Sequence, residues 1–164
     1  MSVSEAAGAE QFLTFKLGAE TFAVEVGKVR EILDLTTVTK VPQTPDYLRG
    51  VINLRGSVVP VIDLRVRFGM PRARDTVNTC IIVVEVTVGG ESVILGTLAD
   101  SVQEVFDLES AQIEPVPSIG TKLNTQFMKG MGKHNDSFLI ILDIDNLCSG
   151  GELQLAQQGQ EEAA

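Results

Sequence analysis

The side chains able to do chemistry are few and scattered. One histidine, His134, stands in Gly132-Lys133-His134-Asn135-Asp136. Its neighbours form turns, which places it at an exposed hairpin tip with no second ligand or oriented base close in sequence. Asp63, Asp143 and Asp145 follow apolar runs. Carboxylates at strand ends can serve acid–base chemistry or hold Mg²⁺, but no partner residue follows at a fixed spacing to complete such a site. Helix N-caps suit Asp63 before residues 64–68 and Asp143 before residues 144–147 better. Cys80 and Cys148 lack metal-ligand spacing and read as reduced thiols. Gly89-Gly90, Gly150-Gly151 and Gly130-x-Gly132 lack the Lys-Ser/Thr ending of a phosphate loop. The sequence thus offers no catalytic residue, metal set or cofactor motif.

Recognition chemistry is better represented. In Tyr47-Leu48-Arg49-Gly50-Val51-Ile52-Asn53-Leu54-Arg55-Gly56, two arginines and an asparagine stand among apolar residues. Such a segment is either a positively charged hairpin surface or a docking site, because arginine beside Val and Ile supplies the anchor and platform of an interface centre. A second basic stretch, residues 65–74, reads as a solvated linker in preference to a surface for another partner.

The elements that must position these residues are mostly strands. Val is abundant, aromatics make up 5% and Trp is absent, a composition that favours β structure. Phe12, Leu13, Phe15 and Leu17, a turn at Gly18-Ala19-Glu20, then Phe22, Val24 and Val26 predict a hairpin. Val29, Ile32 and Leu33 recur at helical spacing and predict a short helical turn. A second hairpin turns at Arg55-Gly56-Ser57, and Pro60 places its strand at an edge or a bulge. A third runs over residues 79–88 and 92–98 around Gly89-Gly90. Residues 1–10 read as a loose arm and residues 149–164 as a solvated tail.

The second half repeats the first. Glu31 matches Glu104, Val41-Pro42 matches Val116-Pro117, Gly50 matches Gly130, and Asp63 matches Asp143, the spacing growing slowly from 73 to 80 residues. Four landmarks in one order point to two copies of one unit. Each copy is too small to hide both sheet faces, so the expectation is two small barrels packed on an apolar seam, with a groove where they meet.

Charge narrows the partners. Thirteen basic residues face 22 acidic ones, giving a net charge of −9. Phosphate neutralisation and adsorption to anionic lipid are both disfavoured, which argues against nucleic acid and membrane surfaces. No apolar run reaches transmembrane length, and the first residues lack the basic start and apolar core of a secretory signal.

Several of these motifs are shared with a known family. Residues 12–18 and 22–26, Val29-Arg30-Glu31-Ile32, the Pro45 to Gly56 segment with Val59-Pro60-Val61-Ile62-Asp63-Leu64, and Gly96-x-x-x-Asp100-x-Val102-x-Glu104-Val105 together resemble the CheW family of bacterial chemotaxis coupling proteins. The resemblance covers residues 11–148. It implies an all-β fold with short helices: two intertwined five-stranded antiparallel, SH3-like barrels with an apolar seam, as two lobes of roughly 11–75 and 76–148. It implies a non-catalytic adaptor in two-component signal transduction, joining the cytoplasmic hairpin tips of chemoreceptors to the regulatory domain of the histidine kinase CheA. The receptor-binding residues it carries over are Val29, Glu31, Gly50, Asn53, Arg55 and Gly56, with Val51 and Leu54 as further apolar contacts. The kinase contact falls on the second lobe, at residues it does not assign. Cofactor and metal are absent from this picture. The implied location is cytoplasmic, at receptor arrays of the inner membrane, where self-association in rings adds a further partner. The alternatives are a coupling protein of a parallel chemosensory pathway not controlling flagella, and a small enzyme whose site, built on Asp63 or Asp143, lies in the inter-lobe groove.

Overall fold

The computed structural model describes residues 9–72, 74–115, 127–134 and 137–148. The tail, the Val116-Pro117 landmark, the Asn135-Asp136 turn and most of the N-terminal arm lie outside these residues. The strands are β1 (Ala9–Leu17), β2 (Glu20–Glu25), β3 (Val29–Asp34), β4 (Leu48–Leu54), β5 (Ser57–Asp63), β6 (Cys80–Val88), β7 (Glu91–Ala99), β8 (Ser101–Glu109), β9 (Ile113–Glu114), β10 (Met128–His134) and β11 (Ser137–Leu142). One helical turn, α1 (Leu64–Arg67), follows β5. Its N-cap is Asp63, whose carboxylate accepts from the amides of Arg65 and Val66 at 3.1 and 3.4 Å.

The repeat read from the sequence governs the topology. One sheet runs β8-β1-β2-β11-β10-β9 and the other β3-β6-β7-β5-β4. The leading hairpin of each half is inserted between strands of the other half, so both sheets are shared. Each insertion creates one parallel contact, β2 with β11 and β5 with β7; all other pairs are antiparallel. The sheets are therefore mixed, of six and five strands, where two antiparallel five-stranded barrels were expected.

The sixth strand is the short β9, which pairs Ile113 and Glu114 with Gly132 and Met131 of β10. The corresponding place on the other sheet holds only a single bridge, Thr39 to Val51. Neither sheet closes into a barrel; each keeps two edges. Val29, Ile32 and Leu33 lie in β3, an extended strand of alternating exposure paired to β6, and the helical turn precedes them at Val26–Lys28. Their spacing mimics a helix because the register slips between Val29 and Glu31.

Pro60 sits opposite Val51 in the β4–β5 hairpin. Val51 sends its own N–H and C=O to Thr39, both at 2.8 Å, so the Val51–Pro60 pair exchanges no ladder bonds. The imide nitrogen of Pro60 faces the flank where pairing with β7 begins only at Val61. Locally this is an edge, although β5 is interior to the sheet.

Three apolar clusters explain why the strands read as near-continuous hydrophobic runs. Phe12, Ala23, Leu108, Leu139 and Ile141 fill the concave side of the six-stranded sheet. Ile52, Val59, Val61, Ile81, Val83 and Leu98 fill that of the five-stranded sheet. The largest cluster lies between the sheets and includes Leu13, Phe22, Ile62, Ile82, Val84 and Leu142. Successive residues of β6, such as Ile81 and Ile82, thus point into different cores, so both faces of the strand are dry. Phe15, Phe22, Phe68 and Phe127 follow one another across the seam with ring centroids 5.9, 5.6 and 5.6 Å apart.

The basic stretch after β5 is a fastening of this seam. Arg65 binds both oxygens of Asp100 with its guanidinium, while the Gly18 amide donates to Oδ2 at 2.7 Å. Arg72 donates to the Asp46 carbonyl at 3.0 Å. Desolvation pushes the Asp100 carboxyl up, but the hydrogen bonds from Arg65 and Gly18 outweigh it and hold the group below the usual carboxylate value.

Two predictions follow from this packing. A Cβ on Gly50, where φ is +151°, would overlap the carbonyl oxygen of Thr39. Gly50→Ala should therefore cost about 3 kcal/mol or more, read as a large drop in the urea midpoint; an unchanged midpoint would show that the Thr39 segment yields freely. Asp100→Asn should cost roughly 1 kcal/mol, the carboxylate being partly solvated. Because the folded-state pKa is depressed, this contribution is present above about pH 4 and is lost as pH falls through the lower folded value. Acid unfolding of the variant should start from lower stability and show a shallower pH slope than wild type.

Candidate functional site

The six residues singled out for receptor contact all fall on the two edge strands of the five-stranded sheet and the turn after one of them. Val29 and Glu31 belong to β3, one edge. Gly50 and Asn53 belong to β4, the other edge, and Arg55 and Gly56 form the two-residue turn to β5. The ion pair of Arg55 with Glu31 ties one edge to the other. The hydrogen bond from Arg55, aided by its charge, holds the Glu31 carboxyl below the ordinary carboxylate value, and Glu31 correspondingly raises the guanidinium.

The turn itself is unusual. Arg55 and Gly56 both have positive φ, +50° and +88°, as a primed hairpin turn requires. Glycine and asparagine meet this requirement easily; an arginine at the first position does so against its steric preference. Asn53 steadies the turn by accepting the Gly56 amide on Oδ1 at 2.8 Å. The Arg55 side chain is 72% exposed even while paired.

The other residues divide by burial. Gly50 is buried beneath Thr39 and shapes the hairpin through its backbone. Val29 is half-buried against the seam cluster, and Leu54 packs against the inner cluster of its own sheet. Val51 is half-buried and hydrogen-bonded to Thr39. The apolar side chains that do reach solvent here are Ile32, 45% exposed, and Val58, 53% exposed. Val58 faces Asn53 across the hairpin. A two-residue turn fixes that register, so the side it faces was available from the alternation alone.

Arg49 does not join this surface. It pairs with Asp75 at 2.6 Å beside a small cleft near the seam, lined also by Asp63, Arg65, Arg74 and Asp100. Between the sheets lies the largest apolar cluster, and Glu31 and Arg55 meet away from it, at the edge of the five-stranded sheet. The acids once open to an enzymatic role have structural partners. Asp63 is buried and caps α1, Asp143 accepts from the Asn146 amide at 3.1 Å, and Asp145 binds Lys28 and the Thr87 amide. Cys80 is buried, and burial pushes its thiol further up, away from the reactive thiolate. His134 ends β10 opposite Ser137. Among the described residues no group of three His, Cys, Asp or Glu side chains gathers as metal ligands would.

The internal repeat extends to the exposed apolar side chains. Val105 on β8 and Phe138 on β11, 48% and 53% exposed, occupy on the six-stranded sheet the places of Ile32 and Val58 on the other.

Two packed β-sheets with a charged and apolar rim at the edge of one of them make up the described body. The chain belongs to the CheW family of chemotaxis scaffold proteins and is not an enzyme: the CheW-like domain model matches residues 11–152. It is similar to the chemotaxis protein CheW of Klebsiella aerogenes, 38% identical over 94% of this chain and 92% of that one. A probable chemotaxis protein CheW of Rhizobium etli is 34% identical over 91% and 94%. Among solved structures, the scaffolding protein TtCheW of Thermoanaerobacter tengcongensis superposes with a TM-score of 0.76 at 33% identity, over 84% of this chain and 86% of that one.

If the Arg55 backbone is strained for the sake of its side chain, Arg55→Gly should keep the turn and leave the urea midpoint at or above the wild-type value. A clear fall would mean that the pair with Glu31 outweighs the turn strain.

Proposed function

We propose that this protein couples the cytoplasmic hairpin tips of chemoreceptors to the regulatory domain of a histidine kinase, and that Arg55 is the centre of its receptor-binding surface. The observation that carries this reading is the conformation of Arg55. A residue held at positive φ against its preference, with most of its side chain in water, adds to the fold only an exposed ion pair with Glu31, the kind of contact that contributes little stability. Its use is then external. Glu31 pre-orients the guanidinium by a two-point contact, which lowers the ordering cost when a receptor carboxylate or side-chain amide arrives. Ile32 and Val58 supply an apolar platform beside it for one face of a receptor helix. Asn53 and Gly56 hold the turn, and Gly50 lets the hairpin tuck beneath Thr39.

Kinase contact is assigned to the six-stranded sheet, where Val105 and Phe138 form the equivalent exposed pair. Two surfaces on two sheets give one adaptor two simultaneous partners. No described helix is long and apolar enough to cross a membrane. The working place in this reading is the cytoplasm, with recruitment to arrays at the inner membrane through the receptor itself.

Reconstitution tests the assignment. Added to receptor-containing membranes and kinase, the wild-type protein should raise autophosphorylation and render it attractant-sensitive. Arg55→Gly and Arg55→Glu should weaken binding to a receptor hairpin fragment tenfold or more with the kinase domain still bound. Phe138→Asp should do the reverse. Receptor binding that survives both Arg55 substitutions would remove Arg55 as the anchor.

A further inference from the structure

The two proposed surfaces lie on different sheets, so an adaptor that relays a signal needs a defined geometry between them. The apolar seam supplies adhesion but little direction, because aliphatic contacts tolerate small slides. Polar contacts supply direction: Arg65 with Asp100 is one such set, and Arg67 makes another.

Arg67, the last residue of α1, extends its guanidinium between two aromatic rings, with its central carbon 4.4 Å from the centroid of Tyr47 and 4.6 Å from that of Phe127. Its Nε and Nη2 donate to the Leu147 carbonyl at 3.3 and 3.1 Å. These contacts mark the axis of the internal repeat. Tyr47 stands immediately before β4, and Phe127 immediately before β10. The Tyr47 carbonyl accepts the Asp63 amide at 2.7 Å, and the Phe127 carbonyl accepts the Asp143 amide at 2.8 Å. Each ring is thereby fixed to the base of its own hairpin, β4–β5 on one sheet and β10–β11 on the other. Leu147 takes the place in the second repeat that Arg67 has in the first, so one cation serves both halves.

We propose that Arg67 is a positioning residue that locks the bases of the two hairpins together, and that the state of one surface is passed to the other through this clamp. The relay role rests on the coupling function proposed above; the lock does not. A planar fork can stack between two rings and donate twice to one carbonyl; a lysine ammonium can approach one ring but does not reproduce that set. Arg67→Met keeps most of the volume and removes the direction.

The lock is tested on the full chain by hydrogen exchange. In Arg67→Met the Asp63 and Asp143 amides should exchange at least tenfold faster than in wild type, while the central β6–β7 amides keep their protection. Tyr47 is the only tyrosine and there is no tryptophan, so the near-UV tyrosine band should also lose intensity. Unchanged protection at both aspartates overturns the proposal whatever the partners do.

The relay is tested with the receptor hairpin fragment and the kinase regulatory domain. Each binary affinity should stay within threefold of wild type, while stimulation of the kinase in receptor membranes falls tenfold or more, with Arg67→Lys intermediate. Stimulation within threefold of wild type, or affinities that fall in step with it, overturns the relay. If Arg67→Met does not fold, the same readouts on Arg67→Lys decide the matter. Should the wild-type chain bind neither partner, the coupling function fails, and the exchange result still stands or falls by itself.

Discussion

The structure depends on one constraint: neither half of the chain can bury both faces of its own strands. Exchanging the leading hairpins resolves this. β1 and β2 enter a sheet made by the second half, and β6 and β7 enter one made by the first. The exchange makes each sheet a joint product, and its outer face becomes the seam. Side chains from both sheets then share one cluster, which includes Phe15 and Phe22 from one hairpin and Ile82 and Val84 from the other. Removing either half would expose the seam and also break the parallel ladders at Ile140–Phe22 and Val61–Gly96.

Local chemistry at the seam follows from that arrangement. Where the hairpins meet, backbone ends and charges are brought into a dry region and need partners. Asp63 caps α1, Arg65 and Gly18 hold Asp100, and Arg67 reaches the Leu147 carbonyl. Buried register slips are also satisfied. Thr14, at the irregularity between β1 and β8, donates its hydroxyl to the Glu104 carbonyl at 2.7 Å and accepts the Glu104 amide at 3.1 Å. These polar groups of the interior thus have structural duties.

Much of this was legible in the sequence, and what was missed has physical reasons. The repeat landmarks Gly50 with Gly130 and Asp63 with Asp143 foretold the equivalence of the hairpins, and the structure adds why the glycines recur: a Cβ on Gly130 would lie 2.8 Å from the Glu114 carbonyl, as one on Gly50 would strike Thr39. The turn at Arg55-Gly56 and the cap at Asp63 followed from local chemistry alone. The exchange of hairpins did not, because pairing partners far apart in sequence leave no periodic signature. Ile32 looked helical because a slip in register imitates a change of period. The arginines of residues 65–74 looked solvated because their partners, Asp100, Asp46 and Leu147, lie on other elements. Of the candidate site, Arg55 and Asn53 stood out by residue type and Glu31 by family resemblance; the side Val58 faces followed from the two-residue turn, whereas the exposure of Ile32 emerges only when the slip in β3 fixes which side of that strand meets water.

The repeat also bears on how the two proposed surfaces would differ. Duplication places an exposed aliphatic or aromatic pair on each sheet, Ile32 with Val58 and Val105 with Phe138. Left identical, the two surfaces would compete for one partner. They differ in what surrounds the apolar pair: on the five-stranded sheet the edges are joined by the Glu31–Arg55 pair, with the arginine raised into solvent by a turn conformation it does not favour. A charged anchor discriminates between partners more sharply than apolar area does, because a mismatched partner leaves the charge desolvated and unpaired. In the proposed reading, symmetry of the backbone supplies two platforms, and a single strained residue makes one of them selective.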